Sequence, residues 1–142
     1  MDKNSLLREA DVISLHLVLS DSTRSVLAAP DLALMKSGAL LVNTARGGLV
    51  DEPAMLAALN AGRLRAALDV YEHEPLPADH PLRRAPGTVL TPHLGFSTHA
   101  TFRSFYSQSV ENIRAFLDGN PLRVLNPEIL PLPNLGVPTA NS

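Results

Sequence analysis

Four short apolar runs constrain the fold of this 142-residue chain more than any other feature. They are Val12–His16, Ala39–Asn43, Leu64–Val70 and Thr88–Thr91, and their apolar residues follow one another almost without alternation. Alternation marks a strand with one wet face. A continuous run marks a strand buried on both faces, as in a parallel sheet with helices above and below it. Helical patterns separate the runs. A brief one covers Ser5–Ala10, and a second follows Pro30 and ends before Gly38. A third is capped by Asp51, carries Pro53 in its first turn and stops at Gly62. Strand, helix, strand, helix predicts an α/β fold: a doubly wound parallel sheet of about four strands with right-handed crossovers and helices on both faces.

The last regular element is a helix from about Thr98 to Asp118, ended by Gly119-Asn120-Pro121. Phe102, Phe105, Tyr106, Val110, Ile113, Phe116 and Leu117 fall on one stripe of it, so it faces a core or an interface. Beyond it, proline at 127, 131, 133 and 138 reads as a tail. The expected division is a domain over residues 1–127 and a proline-rich tail over 128–142.

Composition removes several classes of function. Net charge is −2 and the 12 Lys and Arg are scattered, which gives no footprint for nucleic acid or an anionic membrane. There is no cysteine, so disulfides, thiolate zinc sites and cysteine nucleophiles are excluded. Neither His93 with His99 nor His73 with His80 has a zinc-ligand spacing, so no metal is assigned. No G-x-S-x-G elbow occurs. The apolar runs fall far short of the roughly 18 residues of a membrane span, and the N-terminus lacks an apolar signal core. A cytoplasmic domain is expected.

Open α/β sheets bind ligands outside the carboxyl ends of their strands. His16 follows the first strand, and Thr44-Ala45-Arg46-Gly47-Gly48 the second. Asp69 and Glu74-Pro75 follow the third, and Pro92-His93-Leu94-Gly95 the fourth. One rim therefore gathers an arginine, carboxylates and histidines, each beside glycine or proline. Singly, each has a bland reading: Arg46 as a surface cation, Glu74 as a loop carboxylate, His93 as a structural histidine. The glycines after Arg46 point to close backbone approach instead. Asp69, inside an apolar run, needs partners for its charge.

Leu40-Leu41-Val42-Asn43-Thr44-Ala45-Arg46-Gly47, Ala67-Leu68-Asp69-Val70-Tyr71-Glu72-His73-Glu74-Pro75 and Leu90-Thr91-Pro92-His93-Leu94-Gly95-Phe96-Ser97 resemble three successive blocks of the D-isomer-specific 2-hydroxyacid dehydrogenase family. The resemblance runs from about residue 5 to residue 127, and Asn126-Pro127 is similar to the family's closing motif. It implies a partial Rossmann-like domain and an oxidoreductase that moves hydride between NAD or NADP and a small 2-hydroxy or 2-keto acid. The implied catalytic residues are Arg46, holding the substrate carboxylate and carbonyl, Glu74, and the histidine it pairs with, His93. The implied cofactor-binding residues are His16, Thr44, Ala45, Arg46, Asp69, His93 and Gly95. Val18 stands where the family often has proline.

The chain departs from the family pattern in having no G-x-G-x-x-G, no first βαβ unit and no acidic residue placed to read an adenosine ribose. It resembles the second half of the nucleotide-binding domain, so a truncated chain with weak or absent turnover is expected. The alternative is a non-catalytic binding or interaction module derived from a dehydrogenase, as in corepressors of the C-terminal-binding-protein type. In either case Val12–His16 is expected to expose a strand edge. With the stripe from Phe102 to Phe116, that edge predicts a homodimer or a complementing chain.

Overall fold

A computed structural model describes residues 1–129, so most of the expected tail, from Leu130 onward, lies outside the described residues. The chain forms two compact units, divided after Gly95. In the first, α1 (Lys3–Glu9) leads into β1 (Val12–Leu15), then α2 (Ala29–Leu34), β2 (Ala39–Asn43), α3 (Glu52–Asn60), β3 (Leu64–Leu68), a 3₁₀ turn (Pro81–Arg84) and β4 (Thr88–Leu90). The strands lie in the order β1-β2-β3-β4 and every pairing is parallel. All four expected strands and their parallel pairing are present, with β1, β3 and β4 ending one or two residues earlier than the apolar runs.

Local chemistry sets the helix starts. The Asp2 carboxylate accepts the Ser5 N–H at 2.9 Å to open α1, and Asp51 accepts the Ala54 N–H at 3.0 Å to open α3. In the first turn of α2, Asp31 accepts the N–H of Ala28, the residue just before the helix, at 2.9 Å.

The core lies on one face of the sheet. Ile13 and Leu15 of β1, Ala39 and Leu41 of β2, and Leu64, Ala66 and Leu68 of β3 are buried in one cluster with Leu7, Leu32, Met55 and Leu59 from the helices. The register aligns them, Ile13 opposite Leu41 and Leu41 opposite Ala66. The alternate positions are not buried: Val12 is 57% exposed and Val89 66%. The expectation of helices on both faces is therefore not met within this unit. Each crossover steps the same way across the sheet, and a common right hand places every connecting helix on one face.

The second unit contains α4 (His99–Leu117), opened by Thr98, whose hydroxyl accepts the Thr101 N–H at 3.1 Å. Phe102 and Tyr106 stack with ring centroids 6.3 Å apart. Arg123 folds back onto Glu111 and Asn112, both at 2.7 Å. No residue of α4 is buried, and Phe105, Tyr106, Val110 and Ile113 of its apolar stripe are exposed.

Candidate active site

The carboxyl ends of β3 and β4 are tied together by one acid. Asp69 follows β3 and is buried. Its Oδ1 accepts the Thr91 hydroxyl at 2.5 Å and the Leu94 N–H at 2.9 Å, and its Oδ2 accepts the Gly95 N–H at 2.8 Å. Burial works to raise its pKa, but these three hydrogen bonds, aided by the charge of His93, outweigh burial and hold the carboxyl below its ordinary value. Gly95 suits this approach, because a Cβ there would lie 3.1 Å from Asp69 Oδ2 and the carboxylate would have to give by a few tenths of an ångström.

That anchorage shapes the loop carrying His93. The histidine has φ +56°, a left-handed conformation that is uncommon and costly for a side chain of its kind. The two N–H groups immediately after it are the ones Asp69 holds. The strained residue is thus fixed from its C-terminal side by a buried charge.

Glu74 reaches the same place from the β3 side. Its Oε1 accepts the Tyr71 N–H at 2.9 Å, and its Oε2 lies 2.7 Å from His93 Nδ1. Tyr71 is itself locked, its hydroxyl donating to the Thr91 carbonyl at 2.9 Å. Burial again pushes the Glu74 carboxyl up, and the hydrogen bonds from His93 and Tyr71 more than reverse it, so Glu74 titrates below its ordinary range. With Glu74 ionised, Nδ1 carries the proton and exchange with a bound group falls to Nε2. Both side chains keep a third or more of their surface in water. They border a cavity of about 430 Å³ that Tyr71, Leu76, Arg83 and Leu90 also line.

The loop after β2 is built differently. Asn43, buried at the strand end, accepts the Ala45 N–H at 3.1 Å and donates to the Arg46 carbonyl at 2.9 Å, so one amide closes the turn over Thr44 and Ala45. Gly47 lets this turn rest on the next one, because a Cβ there would collide with the Tyr71 carbonyl and the Glu72 nitrogen. The exposed Arg46 side chain donates to its neighbour's carbonyl, Ala45 O, at 2.6 Å. Arg46 therefore shares the rim with Glu74 and His93 but is not bonded to them. Thr44 is exposed on this rim and His16, after β1, pairs through Nε2 with Ser14 Oγ at 2.8 Å.

Of the candidate residues, Glu74, His93, Asp69 and Gly95 form one connected group. Arg46, Thr44 and Ala45 form a second on the adjacent strand end, and His16 stands apart on the edge strand. Asn43, Tyr71 and Thr91 were not singled out from the sequence. Asn43 did carry a signal, a polar side chain closing an otherwise apolar run. His80, weighed as a metal ligand, instead bonds Glu52 at 3.1 Å, and no group of three metal-ligating side chains occurs among the described residues.

Residues 1–95 match the model of the D-isomer specific 2-hydroxyacid dehydrogenase NAD binding domain. The chain belongs to that family. It is 43% identical over 130 residues to a glyoxylate/hydroxypyruvate reductase B of Klebsiella pneumoniae strain 342, covering 90% of this chain and 40% of that protein. The D-isomer specific 2-hydroxyacid dehydrogenase of Xanthobacter autotrophicus Py2 superposes with TM-score 0.75 at 38% identity, over 85% of this chain and 40% of that one. The D-lactate dehydrogenase of Lactobacillus jensenii, solved with NAD+, gives TM-score 0.74 at 33% identity, over 87% of this chain and 41% of that one. The chain thus spans about two fifths of the length of these relatives. Its Rossmann-like parallel sheet is the family's NAD-binding fold. Among the described residues no helix is long and apolar enough to cross a membrane.

Proposed function

We propose that this chain carries the acid–base and carboxylate-binding residues of an NAD- or NADP-dependent D-2-hydroxyacid dehydrogenase. The observation that carries this reading is the 2.7 Å contact between Glu74 Oε2 and His93 Nδ1 at a strand-end rim. Glu74 fixes the tautomer and orientation of the imidazole and stabilises its protonated form. His93 Nε2 then gives a proton to the keto oxygen of a 2-keto acid, or takes one from the hydroxyl in the reverse direction. Arg46, whose guanidinium is exposed, suits the planar carboxylate of the same substrate through its donor fork.

The rim also fits the nicotinamide end of the dinucleotide. Exposed Thr44 and the remaining Asp69 acceptor capacity present polar groups there, half-buried Ala45 offers a small apolar surface, and Gly95 keeps the backbone bare. When bound, the nicotinamide supplies or accepts the hydride. Arg46, His93 and His16 complete the proposed contacts. The chain's own sequence has no G-x-G-x-x-G to grip a pyrophosphate, so weak or absent turnover is expected of the chain alone. A homodimer or complementing chain, and a cytoplasmic setting, belong to the same proposal.

The test is amide NMR on the chain titrated with NADH and glyoxylate. Shifts grouped at Thr44, Asp69, His93 and Gly95 are expected, and loss of the glyoxylate response in Arg46→Ala. Shifts scattered away from this rim, or none at millimolar ligand, would overturn the reading. The interaction-module alternative draws on one observation, the largely exposed apolar stripe of α4. Rim silence together with concentration-dependent mass would favour it.

A further inference from the structure

The Glu74–His93 contact requires the segment that carries Glu74 to sit at one height, and beyond Glu74 itself that segment is held by the burial of Leu76 in the core, by the His80 N–H donating to Pro77 O at 3.1 Å, and by one side chain. Residues 74–77 belong to no strand or helix, and Pro75 and Pro77 have no backbone N–H with which to bond a neighbour. The carbonyls of this segment need donors from elsewhere. One side chain provides two of them: Arg83 Nε donates to Pro77 O at 2.7 Å and Arg83 Nη2 donates to Leu76 O at 2.6 Å. Two donors on adjacent carbonyls fix a position and an angle, which a single bond does not.

Arg83 can act as a fixed point because its own support is anchored in the core. It lies in the 3₁₀ turn Pro81–Arg84, whose Leu82 is fully buried. The turn is preceded by His80, which reaches Glu52 in the first turn of α3. Among the described residues Arg83 forms no salt bridge, so its guanidinium is committed to the backbone and not to a carboxylate.

We propose that Arg83 is a positioning residue for the acid–base pair: its two-point grip on the Leu76 and Pro77 carbonyls sets the height at which Glu74 Oε2 meets His93 Nδ1. The proposal rests on the reading of Glu74 and His93 as that pair. It assigns the geometry of the dyad to a side chain nine residues beyond Glu74 that touches neither partner's carboxylate nor imidazole bond.

The test is the titration of Glu74, followed by carboxyl carbon NMR, with the His93 ring nitrogens followed in parallel, in wild type, Arg83→Met and Arg83→Lys. In wild type the Glu74 carboxyl titrates below its ordinary value because His93 and Tyr71 bond it. In Arg83→Met the midpoint is expected to move up toward the ordinary value and the Nδ1 resonance to lose its hydrogen-bonded shift. In Arg83→Lys, which keeps the charge but has no planar fork, a smaller upward move is expected. A folded Arg83→Met with wild-type Glu74 and His93 titrations overturns the proposal. So does an Arg83→Lys identical to wild type, because charge alone would then suffice. Should Arg83→Met fail to fold, Arg83→Lys and Arg83→Gln carry the same comparison. These signals are read without substrate or cofactor. Failure of the dehydrogenase reading would instead appear as a silent rim in the ligand titration, with the Glu74–His93 coupling intact.

Discussion

The two halves of the rim are built to different standards. Around β3 and β4, the buried Asp69 accepts three hydrogen bonds, Glu74 is held from two sides, and His93 is kept in a left-handed backbone conformation. Around β2, only the backbone is fixed, by Asn43, while the Arg46 guanidinium rests on its neighbour's carbonyl. Proton transfer needs a preset tautomer and direction, and groups within a few tenths of an ångström of their working positions. Gripping a carboxylate needs only a charge able to swing onto it. The difference is the one expected if the proton-handling pair is organised before the substrate arrives and the anchoring arginine is organised by it.

The largest expected effect breaks the seam between the two halves. Gly47→Ala places a methyl group into the Tyr71–Glu72 backbone, which cannot yield as a flexible side chain would. A loss of about 3 kcal/mol is expected from such overpacking, read from the urea midpoint. An unchanged midpoint would show that the loops adjust freely and that the seam carries no constraint.

Asp69→Asn is expected to come next. Three donors converge on the carboxylate, and an amide turns one of its two oxygens into a donor that faces them. The misplaced amide leaves at least one buried N–H without an acceptor, at a cost of about 2 kcal/mol. The His93 segment should loosen with it, seen as faster amide exchange at Leu94 and Gly95. Protection unchanged at those two amides would mean that the left-handed turn does not depend on the charge.

How much of this was legible beforehand follows from the same contrast. The strands, their parallel pairing and the rim could be read because apolar runs, caps and glycines act locally. The error concerned the sheet's second face. Val12, Leu40, Val42 and Val89 extend the apolar runs, and continuity was taken as two-sided burial, whereas the one-way strand order delivers the connecting helices α2 and α3 to one face, where Leu7 of α1 joins their core. Run composition records what a strand can tolerate, and only topology decides what covers it. The left-handed φ of His93 and the grip of Arg83 on residues 76 and 77 carry no local signature. Histidine enters that backbone more readily than most side chains but adopts ordinary conformations far more often, and an arginine looks the same whether it faces water or two carbonyls.

A smaller effect concerns pH. Glu74 titrates below its ordinary value of 4.5 in the folded chain, so its bonds stabilise the fold above the ordinary value. That contribution is lost as pH falls through the depressed folded value. Glu74→Gln should therefore lower stability at neutral pH and make its fall below about pH 4.5 less steep, with Asp69, Asp31 and Asp2, all held below their ordinary values, supplying the slope that remains. Because a third of the Glu74 side chain faces water, the change should be smaller than that of Asp69→Asn. Unfolding measured every half unit from neutrality to strong acid makes the comparison, and parallel curves for wild type and variant would remove Glu74 from the acid response.

The smallest effect on the fold, and the sharpest test of the contrast, is Arg46→Ala. The side chain is exposed and its one recorded bond runs to the adjacent carbonyl, so its loss should change stability by no more than about 0.5 kcal/mol. The backbone of its turn is held by Asn43 and should not move. Binding of a 2-keto acid should nevertheless disappear, because the proposed grip is a charge and a donor fork that alanine cannot imitate. Arg46→Lys should recover part of the affinity, since the charge returns without the fork. A large loss of stability in Arg46→Ala would show that the arginine is already built into the fold, as Glu74 and His93 are. Unchanged keto-acid binding would move the carboxylate site elsewhere and leave the rim with a proton-handling pair but no assigned anchor.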